Sequence, residues 1–239
     1  MTTKEFLSME ETAQLEDQAV CLRDALLIHL LRMTGCRVGE ILGIEVSQVN
    51  FEARNVSIVH EKHRVRRNCP GCGERIAKRH KLCPNCGLSV IGVVVKSLTD
   101  QEFRSLPLDA TSIEMIKTYI ERGGAKKVGD KLKLFDITRQ CAWKVVTDCA
   151  RKAELPEIMN TRKQRVHHVS PHKLRDAFAT NAANRDSSME GLKRLQEHLG
   201  HENLNTTMRY VHTTGTQHRE WFDEMTKEGE EENDEQSRD

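Results

Sequence analysis

Residues 170–210 read SPHKLRDAFATNAANRDSSMEGLKRLQEHLGHENLNTTMRY, and this stretch decides the fold because it contains the start and stop signals of three successive helices. Ser170-Pro171 is typical of a helix start, with an N-cap residue followed by proline at the first helical position. A second helix is predicted to end at Gly200, and a third to begin at Asn203 or Asn205.

Reactive side chains are concentrated in the same stretch. His172, Arg175, His201 and Tyr210 lie there, and Arg37 lies far upstream in TGCRVGE at 34–40. A guanidinium can bind two phosphate oxygens at once, an imidazole can move protons near neutral pH, and a tyrosine hydroxyl can form a covalent ester. Each residue alone is more often a surface charge or a packing residue. Their order and spacing together indicate a phosphodiester-cleaving site.

The spacing also predicts where these side chains point. His172 is the second residue of its helix and Arg175 follows one turn later, so we expect both on one face beside a helix N-terminus, which favours an anion. In the last helix, Leu204, Met208 and Val211 would form an apolar face. Tyr210 lies about 200° around that helix from Met208, so we expect it to project away from the apolar face.

The upstream sequence predicts a mostly helical α+β fold with a small antiparallel sheet. Apolar residues at helical spacing run from 9 to 33, and this pattern stops at Gly35. A short helix from Val38 to about Ile44 would place Glu40 one turn from Arg37, close enough to orient its guanidinium. Other segments have the pattern of further elements: strands at 55–59, 90–95 and 103–108, a helix capped by Asp109 or Thr111, and a helix from Thr138 to about Lys152.

Four of the eight cysteines are clustered. Cys69 and Cys72 belong to the turn CPGCG, and Cys83 and Cys86 to the turn CPNCG ten residues later. Four thiolates from two such turns suit tetrahedral Zn²⁺, and the glycine that ends each turn permits the positive φ angle that tight thiolate turns often need. We expect a structural zinc site rather than disulfides, with redox chemistry as the alternative for a single CxxC pair.

Taken together, these motifs resemble those of the tyrosine recombinase, or phage integrase, family. The family's motifs are an arginine in TGxRxxE, a lysine on a β-hairpin, HxxR, LGH and a C-terminal tyrosine, and the resemblance spans about residues 8–215. Carried over position by position, it assigns catalytic roles to Arg37, His172, Arg175, His201 and Tyr210. For the lysine the match is Lys96, in VVKSL ahead of RSLPL, with Lys62 as a competitor.

The resemblance implies a mechanism. Arg37 and Arg175 would neutralise the nonbridging oxygens of a scissile phosphate, Tyr210 would attack phosphorus, and Lys96 would protonate the departing 5′ oxygen. His172 and His201 would hydrogen-bond the phosphate or exchange protons with the nucleophile. Because a 3′-phosphotyrosine link keeps the bond energy, neither a nucleotide cofactor nor a catalytic metal is expected.

An insertion departs from the family's compact hairpin. We expect a catalytic domain over residues 1–226 with a zinc ribbon, residues 62–89, inserted in its sheet region. Between Lys62 and Lys81 there are eight lysines and arginines against one acidic residue. We expect this ribbon to contact DNA phosphates, although a solvated surface would explain the same charge; the proposed contacts are Arg66, Arg67, Lys78 and Arg79.

A second departure concerns the N-terminal side. Family members usually carry an N-terminal helical domain that clamps DNA from the opposite side, yet here the catalytic pattern begins within about ten residues of Met1. The chain is therefore expected to bind DNA weakly alone, to use a separate clamping partner, or to use the ribbon as part of the clamp. Double-stranded DNA is the expected partner, with self-association on it.

Charge and hydropathy narrow the protein class. The formal charge of +1 is unevenly distributed. Residues 227–239 contain seven acidic and two basic residues, and the rest of the chain, its body, is basic. A basic body suits a polyanionic partner, the alternative being ordinary solvated charge, and the acidic tail is expected to be disordered. No apolar run has membrane-spanning length and no basic segment leads into an apolar one, so we expect a soluble cytoplasmic protein without a membrane partner.

The function expected from these observations is DNA strand cleavage and rejoining in site-specific recombination or integration. One alternative is a topoisomerase IB-like activity that reseals the same strand, which a two-site recombination assay would separate. Another is a catalytically silent DNA-binding accessory or regulatory protein. The presence of all five best-matched residues counts against the second, since a pure binding protein has no physical need for Tyr210.

Overall fold

A computed structural model describes residues 6–60, 68–74, 76–77, 80–91, 102–160 and 165–211. The elements of these residues are, in chain order, α1 (Met9–Asp17), α2 (Leu22–Thr34), α3 (Val38–Leu42), β1 (Val49–Asn50), β2 (Asn55–His60), β3 (Glu102–Pro107), α4 (Ala110–Glu121), β4 (Lys126–Val128), β5 (Lys131–Lys133), α5 (Arg139–Lys152), β6 (Ile158–Asn160), β7 (Arg165–His167), α6 (Pro171–Arg185), α7 (Met189–Leu199) and α8 (Leu204–Met208).

Helix α2 is the centre of the main core. Its residues from Leu26 to Leu31 are all buried, and it packs against α1, α4, α5 and α6. A helix that is apolar on all sides is stable only when neighbours surround it. His29, a buried polar residue of this helix, has partners on both ring nitrogens, because Nδ1 lies 2.9 Å from a Glu16 carboxylate oxygen and Nε2 lies 3.1 Å from the Ser112 hydroxyl.

The sheet is small and antiparallel. Its three strands lie in the order β1-β2-β3, and β4–β5 and β6–β7 form two separate hairpins. In the ladder between β2 and β3, Ile58 pairs with Arg104 and Val56 with Leu106. Because side chains alternate between the two faces of a strand, Arg104 lies on the inner face with buried Leu106, while Phe103 is exposed. The sheet therefore directs one arginine toward the helices.

Helix α6 connects the main core to a second apolar cluster. Its Leu174 and Ala177 belong to the main core, and its Ala179 and Ala183 pack with Leu192, Leu195 and Leu199 of α7. Three residues that follow the LGH motif, Leu204, Tyr210 and Val211, pack against this second cluster. Because α6 belongs to both clusters, it holds the C-terminal helices against α2 and the turn that follows it.

Most sequence predictions of element type are confirmed. The fold is mostly helical with small antiparallel sheets, α2 ends at Gly35, α7 ends at Gly200, and Asp109, Thr138 and Asn203 cap α4, α5 and α8. Ser170 is the N-cap residue of α6, although its side chain makes no capping bond. A strand is predicted at 90–95, but residues 90 and 91 are not in a strand, and residues 92–95 lie outside the described residues. Within the described ranges, no helix combines the length and the apolar character needed to cross a membrane.

Gly35 ends α2 in a conformation and a space that only glycine fits. Its φ is +59°, and a Cβ built there would lie 2.5 Å from Cδ1 of Phe178. We expect Gly35→Ala to lower the free energy of unfolding by about 2–4 kcal/mol, from left-handed backbone strain and overpacking together. Urea denaturation would measure the loss.

Gly123→Ala is the matched control for this prediction. Its φ is +72°, but nothing lies within 4 Å of an added Cβ, so only the backbone cost of about 1–2 kcal/mol applies. Equal losses at the two positions would show that contact with Phe178 contributes nothing.

Candidate active site

Arg37 lies where α2 turns into α3, and a buried carboxylate holds it. The backbone N–H of Arg37 donates to Glu40 Oε2 at 2.8 Å, and its Nη1 donates to Glu40 Oε1 at 3.0 Å. The Glu40 side chain is 5% exposed and the Arg37 side chain 47% exposed. The buried end of the pair is thus fixed while the guanidinium remains open to solvent. This confirms the expectation that Glu40 orients Arg37.

Arg104 holds the same carboxylate from the sheet. Its two terminal nitrogens donate to the two oxygens of Glu40 at 3.2 and 2.8 Å, a bidentate pair. Burial by itself would raise the pKa of Glu40, but the hydrogen bonds and charges of Arg104 and Arg37 lower it to about 2. Glu40 is therefore ionised at neutral pH and offsets part of the positive charge of this region.

Arg175 is buried, with 3% exposure, and joins three parts of the chain. Its Nη1 donates to the Gly35 carbonyl at 2.8 Å, and its Nη2 donates to the Leu199 carbonyl at 2.8 Å. Burial, and then the nearby charge of Arg37, lower its pKa, but an arginine stays protonated in proteins. A positive charge is thus fixed between the end of α2 and the end of α7.

His201 accepts the third hydrogen bond of Arg175. The distance from Arg175 Nη2 to His201 Nε2 is 3.0 Å, and a guanidinium can only donate, so Nε2 carries no proton. Nδ1 then carries the proton and donates to the hydroxyl of Thr207, 2.9 Å away. Burial, followed by the charges of Arg175, Arg37 and Arg104, lowers the pKa of His201 to about 4. The ring is neutral at physiological pH.

Tyr210 stacks on His201, with ring centroids 6.1 Å apart and an interplanar angle of 13°. Its hydroxyl donates to Asp176 Oδ1 at 3.1 Å. Burial and the neighbouring Asp176 raise the pKa of Tyr210 to about 12. The prediction that Tyr210 projects away from the apolar face is wrong: α8 ends at Met208, so helical periodicity does not extend to Tyr210, which packs against the second apolar cluster.

The prediction that His172 and Arg175 lie on one face of the helix is wrong, because one side chain is exposed and the other is buried. The His172 side chain is 74% exposed, and its Nε2 lies 3.8 Å from Asp176 Oδ1. Arg175 points into the protein, where the Gly35 and Leu199 carbonyl groups accept its hydrogen bonds. His172 therefore lies one helical turn before Asp176, on the face that Tyr210 approaches.

The fold thus brings together most of the residues singled out in the sequence. Arg37 lies near enough to Arg175 to affect its ionisation, and Arg175, His201 and Tyr210 form a continuous chain of contacts. Lys96 and the competing Lys62 lie outside the described residues, as do the four proposed ribbon contacts, Arg66, Arg67, Lys78 and Arg79.

Sequence reasoning missed Arg104, Asp176 and Thr207. For Arg104 a signal existed: it occupies an inward position in the alternating pattern that ends in Leu106 and Leu108. Asp176 follows Arg175 directly but belongs to none of the motifs. Thr207 gives no sequence signal, since a buried threonine that supports a histidine looks like any other polar residue of a short helix.

The four clustered cysteines could hold a metal ion. Their sulfurs all lie within 4.8 Å of one another, with Cys69 and Cys86 at 3.5 Å and Cys72 and Cys83 at 3.6 Å. Both turns repeat one geometry: the glycine that ends each has positive φ, and its N–H donates to the carbonyl of the first cysteine. Cys69 and Cys83 form a small core of their own with Ile76 and Val90.

Ionisation of these thiols is unequal. Although burial raises the pKa of Cys69, hydrogen bonds from the backbone N–H groups of Gly71 and Cys72 lower it to about 7. For Cys86 the backbone N–H of Leu88 lowers the pKa, but contacts with the other sulfurs raise it to about 12. A divalent cation among the sulfurs would stabilise all of them as thiolates.

Comparison with known proteins yields several relatives. The chain is 27% identical over 211 residues to tyrosine recombinase XerD of Staphylococcus saprophyticus, covering 85% of this chain and 54% of that protein. It is 24% identical over 207 residues to tyrosine recombinase XerC of Staphylococcus aureus, covering 87% and 54%. The chain spans about half the length of the curated relatives it matches.

Solved structures share the fold. XerH site-specific recombinase bound to palindromic difH substrate, in a post-cleavage complex, matches with a TM-score of 0.61 at 21% identity, over 92% of this chain and 52% of that one. XerA recombinase matches with a TM-score of 0.60 at 19% identity, over 94% and 65%. The profile of the phage integrase family matches residues 1–81 and 87–217, and its gap falls inside the four-cysteine segment. Since this match covers most of the sequence, the chain belongs to the phage integrase family.

Proposed function

We propose that this protein cleaves and rejoins DNA strands through a covalent 3′-phosphotyrosine link, in site-specific recombination or integration, with Tyr210 as the nucleophile. The observation that carries the proposal is the contact chain from Arg175 through His201 to Tyr210, which places a buried guanidinium, an imidazole and a phenol side by side. The recombinases among its relatives, one of them solved with its DNA substrate after cleavage, support the same reaction.

The two arginines are proposed to hold the scissile phosphate. Arg37 offers an exposed guanidinium whose base is fixed by Glu40, and Arg175 adds a buried charge that the Gly35 and Leu199 carbonyls keep in place. Such fixed donors stabilise the additional negative charge of a pentacoordinate phosphorus without reorganising during the reaction. Because Glu40 balances the arginines only in part, the site retains a net attraction for a phosphate.

The histidines have different proposed roles. His201 has both ring nitrogens engaged within the protein, so in this geometry it orients Arg175 and supports the Tyr210 ring. His172 is exposed and can hydrogen-bond the phosphate or exchange protons there. Lys96 is proposed to protonate the departing 5′ oxygen, and a free 5′ hydroxyl then reverses the step. We propose no nucleotide or catalytic metal, since the phosphotyrosine conserves the bond energy.

The domain assignment belongs to the same proposal. Residues 1–226 would form the catalytic domain, residues 62–89 an inserted zinc ribbon and residues 227–239 a disordered acidic tail. Double-stranded DNA is the proposed substrate, with self-association on DNA and a separate clamping protein as further proposals. The basic net charge of the chain outside its acidic tail favours a polyanionic partner.

Tyr210→Phe should abolish covalent protein–DNA adducts and leave DNA affinity nearly unchanged, because the change removes only the attacking oxygen. Covalent adducts would be trapped on nicked duplexes of randomised sequence and quantified on denaturing gels. Peptide mapping would then identify the residue that is linked to DNA. The chain has one other tyrosine, so Tyr119→Phe is the matched control and should form adducts normally. Adducts that persist in Tyr210→Phe would move the nucleophile elsewhere.

We propose that the four-cysteine cluster holds a structural Zn²⁺ ion. Zn–S bonds of about 2.3 Å in a tetrahedron place the sulfurs about 3.8 Å apart, and the observed separations of 3.5 and 3.6 Å are close to that value. Two exposed and two buried cysteines from two matching turns supply the four ligands. So short a segment lacks a large apolar core, and the metal–sulfur bonds would supply the folding stability that such a core provides elsewhere.

Purified protein should contain one zinc ion per chain, and Cys72→Ser should lose it, as measured by inductively coupled plasma mass spectrometry. Because Cys69, Ile76, Cys83 and Val90 form a cluster separate from the main core, the main thermal transition should persist in the variant. Cys141→Ser, a change outside the cluster, should retain the zinc. Equal zinc content in all three proteins would refute the site.

The ribbon is also proposed to contact DNA. Replacing Arg66, Arg67, Lys78 and Arg79 together with alanine should weaken DNA binding and flatten its dependence on salt, since each phosphate contact releases counterions. Fluorescence anisotropy across a salt series would measure both quantities. An unchanged salt slope would assign the charge of these residues to solvation alone.

A further inference from the structure

Asp176 is the acceptor of the Tyr210 hydroxyl. The phenol donates to Oδ1 at 3.1 Å, while the ammonium of Lys173 lies 3.2 Å from Oδ2. Each carboxylate oxygen therefore has its own partner, and Lys173 anchors the carboxylate without competing for Oδ1. The Asp176 side chain is 21% exposed, so water screens the contact only in part.

The position of Asp176 on α6 explains how it reaches the tyrosine. Adjacent residues of an α-helix point about 100° apart. Arg175 therefore points inward to the carbonyl groups, while Asp176 points toward the segment that follows α8. Two adjacent residues of α6 thus present a buried guanidinium and a carboxylate that accepts a hydrogen bond from Tyr210.

The environment of Tyr210 makes a proton acceptor necessary. Burial and the Asp176 carboxylate raise the pKa of Tyr210 to about 12, so the phenol is protonated at neutral pH. A neutral phenol is a poor nucleophile toward phosphorus unless its proton leaves as the new bond forms. The group already hydrogen-bonded to that proton is Asp176.

We propose that Asp176 is the general base for Tyr210. As the Tyr210 oxygen bonds to phosphorus, its proton passes to Asp176 Oδ1, and the bond from phosphorus to the 5′ oxygen breaks, with that oxygen taking a proton from a separate acid. In the rejoining step a 5′ hydroxyl attacks, and the departing Tyr210 oxygen recovers its proton from Asp176. This assignment rests on the proposed strand-cleavage function.

His172 is a solvent-exposed neighbour of the same carboxylate. Its Nε2 lies 3.8 Å from the same Oδ1 of Asp176 that accepts from Tyr210, and its side chain is 74% exposed. Among the described residues, the other charged or titratable groups that face Asp176 and Tyr210 are Lys173 and Arg175 on α6, His201 in the turn before α8, and Arg209 after α8.

The test is the rate of first-turnover cleavage by Asp176→Asn on the nicked duplex that the wild-type protein links most efficiently. Asparagine keeps the shape and an oxygen that can accept from Tyr210, but its amide nitrogen cannot accept from Lys173, and the amide cannot take up the proton. At neutral pH we expect a loss of about 10²-fold or more, with DNA affinity unchanged. The variant's rate should then rise about tenfold per pH unit between about pH 6 and 9, as ionisation of the phenol replaces the base, whereas the wild-type rate should vary less.

Two further variants complete the experiment. Asp176→Glu retains a carboxylate and should recover part of the rate, and Asp148→Asn makes the same chemical change at an exposed aspartate whose partner is Arg151 and should cleave normally. Cleavage by Asp176→Asn as fast as or faster than wild type, or a parallel pH profile, would overturn the assignment and make Asp176 only a restraint on the tyrosine. Absence of any wild-type adduct would instead refute the strand-cleavage function itself.

Discussion

The candidate site depends on the hydrogen bonds that the buried guanidinium of Arg175 donates. The guanidinium donates to the carbonyl groups that end α2 and α7 and to the imidazole of His201, so one side chain joins segments separated by more than a hundred residues of sequence. A buried cation is tolerated only where acceptors surround it, because its desolvation is otherwise too costly. The carbonyl groups at the C-terminal ends of two helices are well suited to this, since they lack helical partners and lie at the negative ends of the helix dipoles.

Glu40 makes it possible to collect several arginines in one place. Like charges in a partly buried region repel one another, and here a single ionised carboxylate receives hydrogen bonds from both Arg37 and Arg104. Because Arg104 is held on the inner face of β3, the sheet contributes to the electrostatics of a site otherwise built from helices. Among the described residues, Arg175 donates its hydrogen bonds to two carbonyl oxygens and an imidazole rather than to a carboxylate, so these contacts do not neutralise its charge.

The sequence predicted the parts of the site but not their contacts. Helix ends marked by Gly35 and Gly200, and the one-turn pairing of Arg37 with Glu40, follow from local rules of backbone conformation and helical spacing, so they could be read from the chain. The orientation of Tyr210 could not, because it depends on α8 ending at Met208 and on packing against residues of α7, which are tertiary facts. The partnership of Asp176 with Tyr210, 34 positions apart, was equally invisible: no local pattern distinguishes that aspartate from a solvated one.

The place where the four-cysteine segment joins the fold has a consequence for chain entropy. His60 and Glu102 pair directly across the ladder of β2 and β3, and the four-cysteine segment lies between them in the sequence. Closing a ladder over a loop some tenfold longer than a tight turn costs only about 2 kcal/mol more, since the penalty grows with the logarithm of loop length. A cross-link between the turns at Cys69 and Cys86 would shorten the effective loop and return part of that cost. The strand register that places Arg104 thus costs little more with a long connection than with a short one, so the four-cysteine segment can vary in length at small cost to the pairing that positions this arginine.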